Sequence, residues 1–179
     1  MSVVALWSPS DLLLSVLAPI GLAATRPSAL VVDLDPRGPR YESPYTLADL
    51  VRDGAMKDQL DPLRGSVAVL PNGGVGIEDA SRVVGALAER WPHVVLRCDP
   101  ASPPPESAIS LLPLLPQQFM SRPTRRVVFQ SLGFQAEAPK GALVLPRPGL
   151  ATLNALMGLR TMPAKSGWLR QLAKIWSVT

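Results

Sequence analysis

Short apolar runs alternate with segments of helical periodicity along most of the chain. Six apolar runs rich in Val and Leu predict β-strands, at 3–6, 29–34, 66–70, 93–98, 126–132 and 142–145. Most of these runs are continuously apolar rather than alternating, as is typical of strands that are buried on both faces. The alternation of strands and helices predicts an α/β fold, with a mostly parallel sheet that carries helices on both faces.

The helix signals between these runs differ in strength. Residues 77–91 place apolar side chains on one stripe, and residues 46–54 begin with a capping signal and end in a glycine. Ser8 predicts the start of an apolar helix that reaches Ala24, with Leu13 and Leu17 buried. A further helix is predicted over 150–159, and a short one within the proline-rich segment 100–123.

The composition is that of one packed domain. The chain has 179 residues, of which 47% are hydrophobic and 18% are charged, so a substantial core is expected. One cysteine, Cys98, excludes an internal disulfide framework and fits a cytoplasmic protein. With a single histidine, His93, a His/Cys zinc site is not expected, and no other metal or cofactor is predicted.

The charge is distributed unevenly along the chain. Residues 1–119 carry nine Lys or Arg against thirteen Asp or Glu, whereas residues 120–179 carry nine against one. A basic C-terminal third favours anionic partners, namely nucleic acid, acidic lipid head groups or an acidic protein. The alternative is a basic face that is merely solvated.

Acidic residues follow two of the predicted strands. Asp33 and Asp35 come at the end of the second strand, and Asp99 follows the fourth. Ligands of open α/β sheets bind beyond the carboxyl ends of the strands, where aspartates suit Mg²⁺ and the positioning of water. The alternative is that these aspartates only begin turns, because Asp-Pro is a good turn initiator.

The order of five segments resembles the MinD/ParA family of P-loop ATPases over most of the chain. These segments read "ALVVDLDPRGP", "TLADLVRDG", "GSVAVLPNGG", "ERWPHVVLRCDP" and "ALVLPRPGLATLNALMGLRTMP". The resemblance implies a shortened P-loop-NTPase-like fold over residues 1–163. It also implies that Asp35 matches the residue that positions the attacking water, and that Asp99 matches the acid on the metal side.

The chain departs from this family at the phosphate-binding loop. The corresponding segment, "WSPSDLLLS" (7–15), has neither the glycines nor the lysines of the family's loop. A phosphate site needs converging backbone N–H groups and a cation, whereas Asp11 places a negative charge there. We therefore expect a degenerate nucleotide site, formed by Asp11, Asp33, Asp35 and Asp99, without ATP hydrolysis.

The C-terminal segment 164–179 predicts a separate basic amphipathic helix. Its apolar side carries Trp168, Leu169, Leu172, Ile175 and Trp176, and its opposite side carries Arg170 and Lys174. Trp and aliphatic residues opposite cations are typical of a helix that lies at a membrane surface. MinD proteins, which the chain resembles, end in such a helix. The apolar side is therefore expected to be exposed and to bind a membrane or a partner; the alternative is that it packs on its own domain.

The function expected from these features is that of a non-catalytic MinD/ParA-like scaffold or regulator. The resemblance implies a protein partner, either an active ATPase of the family or a second copy of the chain, and an anionic membrane at the inner face of the cell as a further contact. Division, segregation and pilus positioning are the processes it suggests. The alternatives are an atypical ATPase that uses Asp35 and Asp99, and a non-specific DNA-binding protein that uses the basic third.

Overall fold

The computed structural model describes residues 2–38, 41–54, 67–116, 124–158, 162–163 and 165–177. Within these residues seven strands form one sheet in which all neighbours are parallel, in the order β3-β2-β4-β1-β5-β6-β7. The strands are β1 (Ser2–Trp7), β2 (Ala29–Asp33), β3 (Val67–Leu70), β4 (His93–Arg97), β5 (Ile109–Leu114), β6 (Arg126–Ser131) and β7 (Leu143–Leu145). The predicted α/β fold with a parallel sheet is confirmed.

Within the described residues, one helix lies between each pair of successive strands from β1 to β4, and two helices follow β7. They are α1 (Leu12–Ala23), α2 (Leu47–Asp53), α3 (Ile77–Arg90), α4 (Leu150–Met157) and α5 (Gly167–Leu172), and a 3-10 turn, Ala173–Ser177, follows α5. In these parts of the chain, every helix is too short or too polar to cross a bilayer.

Helices cover both faces of the sheet, as its strand sequences predict. Along β2, Val31 packs into the core formed with α1, α4 and α5, whereas Leu30 and Val32 pack into the core formed with α2 and α3. Successive residues of a strand point to opposite faces, so a continuous apolar run fills both cores. The arrangement is consistent with a shortened P-loop-NTPase-like fold.

Helix α1 begins later than the sequence predicts. Asp11, not Ser8, is its N-cap, and the Asp11 carboxylate accepts a hydrogen bond from the Leu14 N–H at 2.9 Å. Leu17 is buried as predicted, but Leu13 is 57% exposed, so its predicted burial is wrong. The helix turns Leu14 and Leu17 toward the sheet and leaves Leu13 on the outer side.

The segment 100–123 contains a strand where a short helix was predicted. Strand β5 lies between β1 and β6, but β1 pairs with it only at Ile109 and Ser110. Among the described residues, Pro113 therefore pairs with β6 and not with β1. A proline without an N–H is tolerated there as it is at a sheet edge. The surrounding prolines obscured the apolar run "ISLLPL", in which Leu111 and Leu112 are buried.

The predicted exposure of the C-terminal apolar face is wrong. The side chains of this face are buried in the core with α1, at 0–8% exposure: Trp168, Leu169, Leu172, Ile175 and Trp176. The Trp168 indole N–H donates to Gln130 Oε1 at 2.8 Å, and that of Trp176 donates to Thr25 Oγ1 at 3.0 Å. The described part of 164–179 therefore packs as a structural element of the domain.

Two properties of α1 explain why α5 docks on it. Helix α1 is apolar nearly all round, so it must be covered on the side that faces away from the sheet. Gly21 lets the two helices approach closely, because a Cβ there would lie 2.5 Å from the Trp168 ring. Only the polar side of the segment, with Arg170 and Lys174, remains exposed.

Candidate functional site

The acidic residues singled out in the sequence meet at the carboxyl edge of the sheet. Strands β2 and β4 are parallel neighbours, and their last residues, Asp33 and Arg97, lie opposite each other in register. Asp35 follows β2 by two residues, and Asp99 follows β4 by two residues. The topology thus brings Asp33, Asp35 and Asp99 to one edge, together with an arginine that was not predicted to belong to the site.

Arg97 binds both aspartates of the second strand. Its Nη1 lies 2.7 Å from Asp33 Oδ1, and its Nη2 lies 2.9 Å from Asp35 Oδ2. The three side chains are at most 3% exposed. These hydrogen bonds are charge-assisted, and removing one partner of such a buried pair would leave an uncompensated charge out of reach of water.

The third nitrogen of Arg97 is bound by helix α1. Arg97 Nε lies 3.2 Å from both the carbonyl oxygen and the hydroxyl of Ser15. In an uninterrupted helix, the Ser15 carbonyl would accept the N–H of the residue four positions on, but that residue is Pro19, which has none. The proline inside α1 therefore leaves a carbonyl free for the arginine.

Burial sets the electrostatics of this cluster. Burial raises the pKa of Asp33 by more than the Arg97 guanidinium lowers it. Burial also acts to lower the pKa of Arg97, but Asp33, Tyr41 and Asp35 outweigh it, and the net shift is upward. The arginine therefore stays charged, and one buried cation serves two carboxyl groups.

The loop after β2 closes over the cluster. Asp35 Oδ1 accepts a hydrogen bond from the Arg37 N–H at 2.9 Å. A Cβ at Gly38 would overlap the Asp35 carboxylate and would lie 2.6 Å from Arg97 Nη1. Any side chain at position 38 would therefore displace the ion pair, so only glycine fits at this position.

Asp99 has its own internal cation. Arg37 Nη2 lies 2.9 Å from Asp99 Oδ2, and the Ser102 hydroxyl and the Ala101 N–H also donate to this carboxylate. Burial acts to raise the pKa of Asp99, but these donors outweigh it, so its pKa is lowered. The pair differs from the Arg97 cluster in its surroundings, because the Arg37 side chain is 66% exposed.

The remaining candidate residues stabilise a helix end and a turn. Asp11 occupies the N-terminus of α1, where a phosphate would bind in a P-loop protein, and its own carboxylate caps the helix. In the loop 71–76, Asn72 Oδ1 accepts the N–H groups of Gly74 and Val75, and the Pro71 carbonyl accepts the Leu47 N–H. This loop is a turn that leads from β3 into α3 and hydrogen-bonds the start of α2.

Arg97, Arg37, Ser15 and Gly38 are the site residues that the sequence analysis missed. The available signal was Arg97, a charge inside the otherwise apolar run "HVVLRC" that needs a buried partner. Among the described residues, no group of three or more His, Cys, Asp or Glu side chains is arranged to hold a metal ion. The chain matches no family model, and no curated protein matches it significantly.

Proposed function

We propose that the protein is a non-catalytic MinD/ParA-like scaffold or regulator that works through protein contacts. The observation that carries the proposal is the binding of Asp33 and Asp35 by Arg97, together with that of Asp99 by Arg37. The resemblance matches Asp35 to the residue that positions water in active ATPases, and Asp99 to the acid on the metal side. Here each carboxylate already has a cation supplied by the chain itself.

The magnitudes weigh against a nucleotide site. By the resemblance Asp35 would position the attacking water, and freeing its carboxylate from Arg97 would break a buried pair, which costs about 3–5 kcal/mol. A ligand of millimolar affinity has about 4 kcal/mol of binding free energy in all. Since residues 7–15 supply neither glycine nor lysine to hold phosphate, little remains to compensate this cost.

An exposed apolar surface supports a role in protein contacts. Leu12 and Leu13 on α1 are 61% and 57% exposed, and Met157 on α4 is 72% exposed. With Leu156 and neighbouring residues they line an open groove of about 740 Å³. Contiguous apolar surface of this kind is typical of interaction sites. The contact partner in the proposal is an active MinD/ParA-family ATPase or a second copy of the chain.

The contact surface is tested by the double substitution Leu13→Glu with Met157→Glu. Both side chains lie outside the core, so the fold should persist, while the affinity for the partner should fall about 10-fold or more. Sedimentation equilibrium measures self-association, and surface plasmon resonance measures binding to purified MinD/ParA-family ATPases from the same genome. Ile77→Glu, at a 58% exposed site on α3, is the matched control. Equal losses in the control and the double variant would contradict the proposed surface.

A further inference from the structure

A separate cavity lies at the amino edge of the sheet, opposite the aspartate cluster. It has a volume of about 330 Å³ and is found where β5, β6 and β7 begin. The first residues of these strands, Ile109, Arg126 and Leu143, all line it. Its volume falls at the lower end of the range of about 300–1,000 Å³ that is typical of small-ligand sites.

The lining of this cavity has an apolar and a basic part. Val127, Ala142 and Leu143 are half-buried and present apolar surface to it, and the buried core residues Ile109, Val128 and Ile175 lie behind them. Arg125, Arg126 and Lys140 also line it and are exposed at its opening. A site that combines apolar surface with cations matches a ligand with an apolar body and a negative charge.

The positive charge at the cavity is only partly compensated. Arg125 pairs with Glu106 at 2.6 Å, whereas no ion pair of Arg126 or Lys140 is formed within the described residues. From residue 107 to the end of the chain, Glu137 is the only acidic residue. The sequence around the cavity therefore offers few groups that could neutralise these two cations.

We propose that this cavity binds a small amphiphilic anion. The apolar part of the ligand would contact Val127, Ala142 and Leu143, and its carboxylate or phosphate would lie beside Arg126 and Lys140. A nucleic-acid backbone fits less well, because the buried apolar surface would contribute nothing to phosphate binding. This cavity lies at the opposite edge of the sheet from Asp33, Asp35 and Asp99. The proposal therefore does not rest on the proposed lack of nucleotide binding at the carboxyl edge.

Octanoate is a suitable probe, with octanol and octylammonium as controls for charge. Octanoate should shift the backbone amide resonances of residues 125–129 and 140–143 in a saturable manner, and the two controls should bind at least about 10-fold more weakly. The double variant Arg126→Gln with Lys140→Gln should lose about 10-fold in octanoate affinity. A matched double variant, Arg82→Gln with Lys165→Gln, removes two exposed cations elsewhere and should bind normally.

A second variant tests the apolar part of the site and leaves the cations in place. Ala142 is half-buried and lines the cavity, so Ala142→Met should fill it and weaken octanoate binding. A second assay measures co-sedimentation with anionic phospholipid vesicles. If the parent protein co-sediments and the Arg126/Lys140 variant does not, the anion is a lipid head group. If the parent protein does not co-sediment, the anion is a free carboxylate or phosphate.

Three results would overturn the proposal. The first is equal binding of octanoate and octylammonium, and the second is the absence of saturable shifts at 125–129 and 140–143. The third is a duplex DNA that shifts the same resonances at lower concentration than octanoate, because the edge would then be a nucleic-acid surface.

Discussion

Replacing Arg97 with methionine is expected to lower the free energy of unfolding by about 3–5 kcal/mol. Methionine keeps an unbranched apolar side chain at this position but leaves Asp33 and Asp35 buried without a cation. The Ser15 carbonyl also loses the donor that takes the place of the N–H missing at Pro19. Chemical denaturation with urea measures the difference.

The destabilisation should depend on pH with a defined sign. The pKa of Asp33 is already raised in the folded protein. A carboxyl group with a raised folded pKa contributes stability that is fully present below its unfolded pKa and is lost as the pH rises through the folded value. Without Arg97 this pKa should rise further. The stability difference between Arg97→Met and the parent protein should therefore shrink as the pH falls toward the ordinary pKa of an aspartate.

Two further variants separate the effect of losing the buried Arg97 ion pairs from the effect of losing any ion pair. Arg37→Met removes a similar ion pair with Asp99, but at an exposed arginine, and should cost less than about 1 kcal/mol. Adding Asp33→Asn and Asp35→Asn to Arg97→Met should recover part of the loss, because no buried charge is then left unpaired. A loss for Arg97→Met that is small and independent of pH would contradict the proposed role of the cluster.

Replacing Leu172 with glutamate is expected to unfold the domain. Leu172 is fully buried, and its Cδ2 would lie 3.1 Å from a Cβ at Gly21, so the surrounding core has no room for water. An unpaired carboxylate in such a site costs several kcal/mol, which is a large part of the stability of a typical domain. Circular dichroism and thermal unfolding measure the effect.

Arg170→Glu is the matched control on the same helix. Arg170 is exposed on the opposite side of α5, so this substitution should change stability by no more than about 0.5 kcal/mol. A folded Leu172→Glu variant that differs from the parent only in membrane binding would contradict the packing of α5 and would restore the original expectation for this helix.

The C-terminal helix shows what periodicity can and cannot predict. An apolar stripe with Trp168 and Trp176 opposite Arg170 and Lys174 indicates that one side of a helix is shielded from water. It does not indicate what shields it, because a membrane, a partner and the rest of the domain all favour the same pattern. The deciding feature was Gly21 on α1, which permits close packing but carries no periodic signal.

The strands that were predicted correctly share apolar runs that contain no proline. Strand β5 was missed because proline is common both in its flanks and inside it, at Pro113. Proline normally argues against a central strand, and it is tolerated here because β1 pairs only with the first two residues of β5. That exception depends on where a neighbouring strand ends, which local sequence does not determine.

The candidate site was predicted in its location but not in its chemistry. Parallel topology brings Asp33, Asp35 and Asp99 to one edge, and this follows from their positions after strands. The pairing of Asp33 with Arg97 depends on β2 and β4 being neighbours in register. These strands are separated by β3 and α3 along the chain, so the contact requires the strand order.

The central claim, that internal cations hold the carboxylates of a site without nucleotide, is tested most directly by calorimetric titration of the intact protein with ATP and Mg²⁺. We predict no magnesium-dependent binding tighter than about 1 mM, which corresponds to about 4 kcal/mol. A saturable heat with a micromolar Kd that requires Mg²⁺ would contradict the account, because the ligand would then have displaced Arg97 or Arg37 from the aspartates.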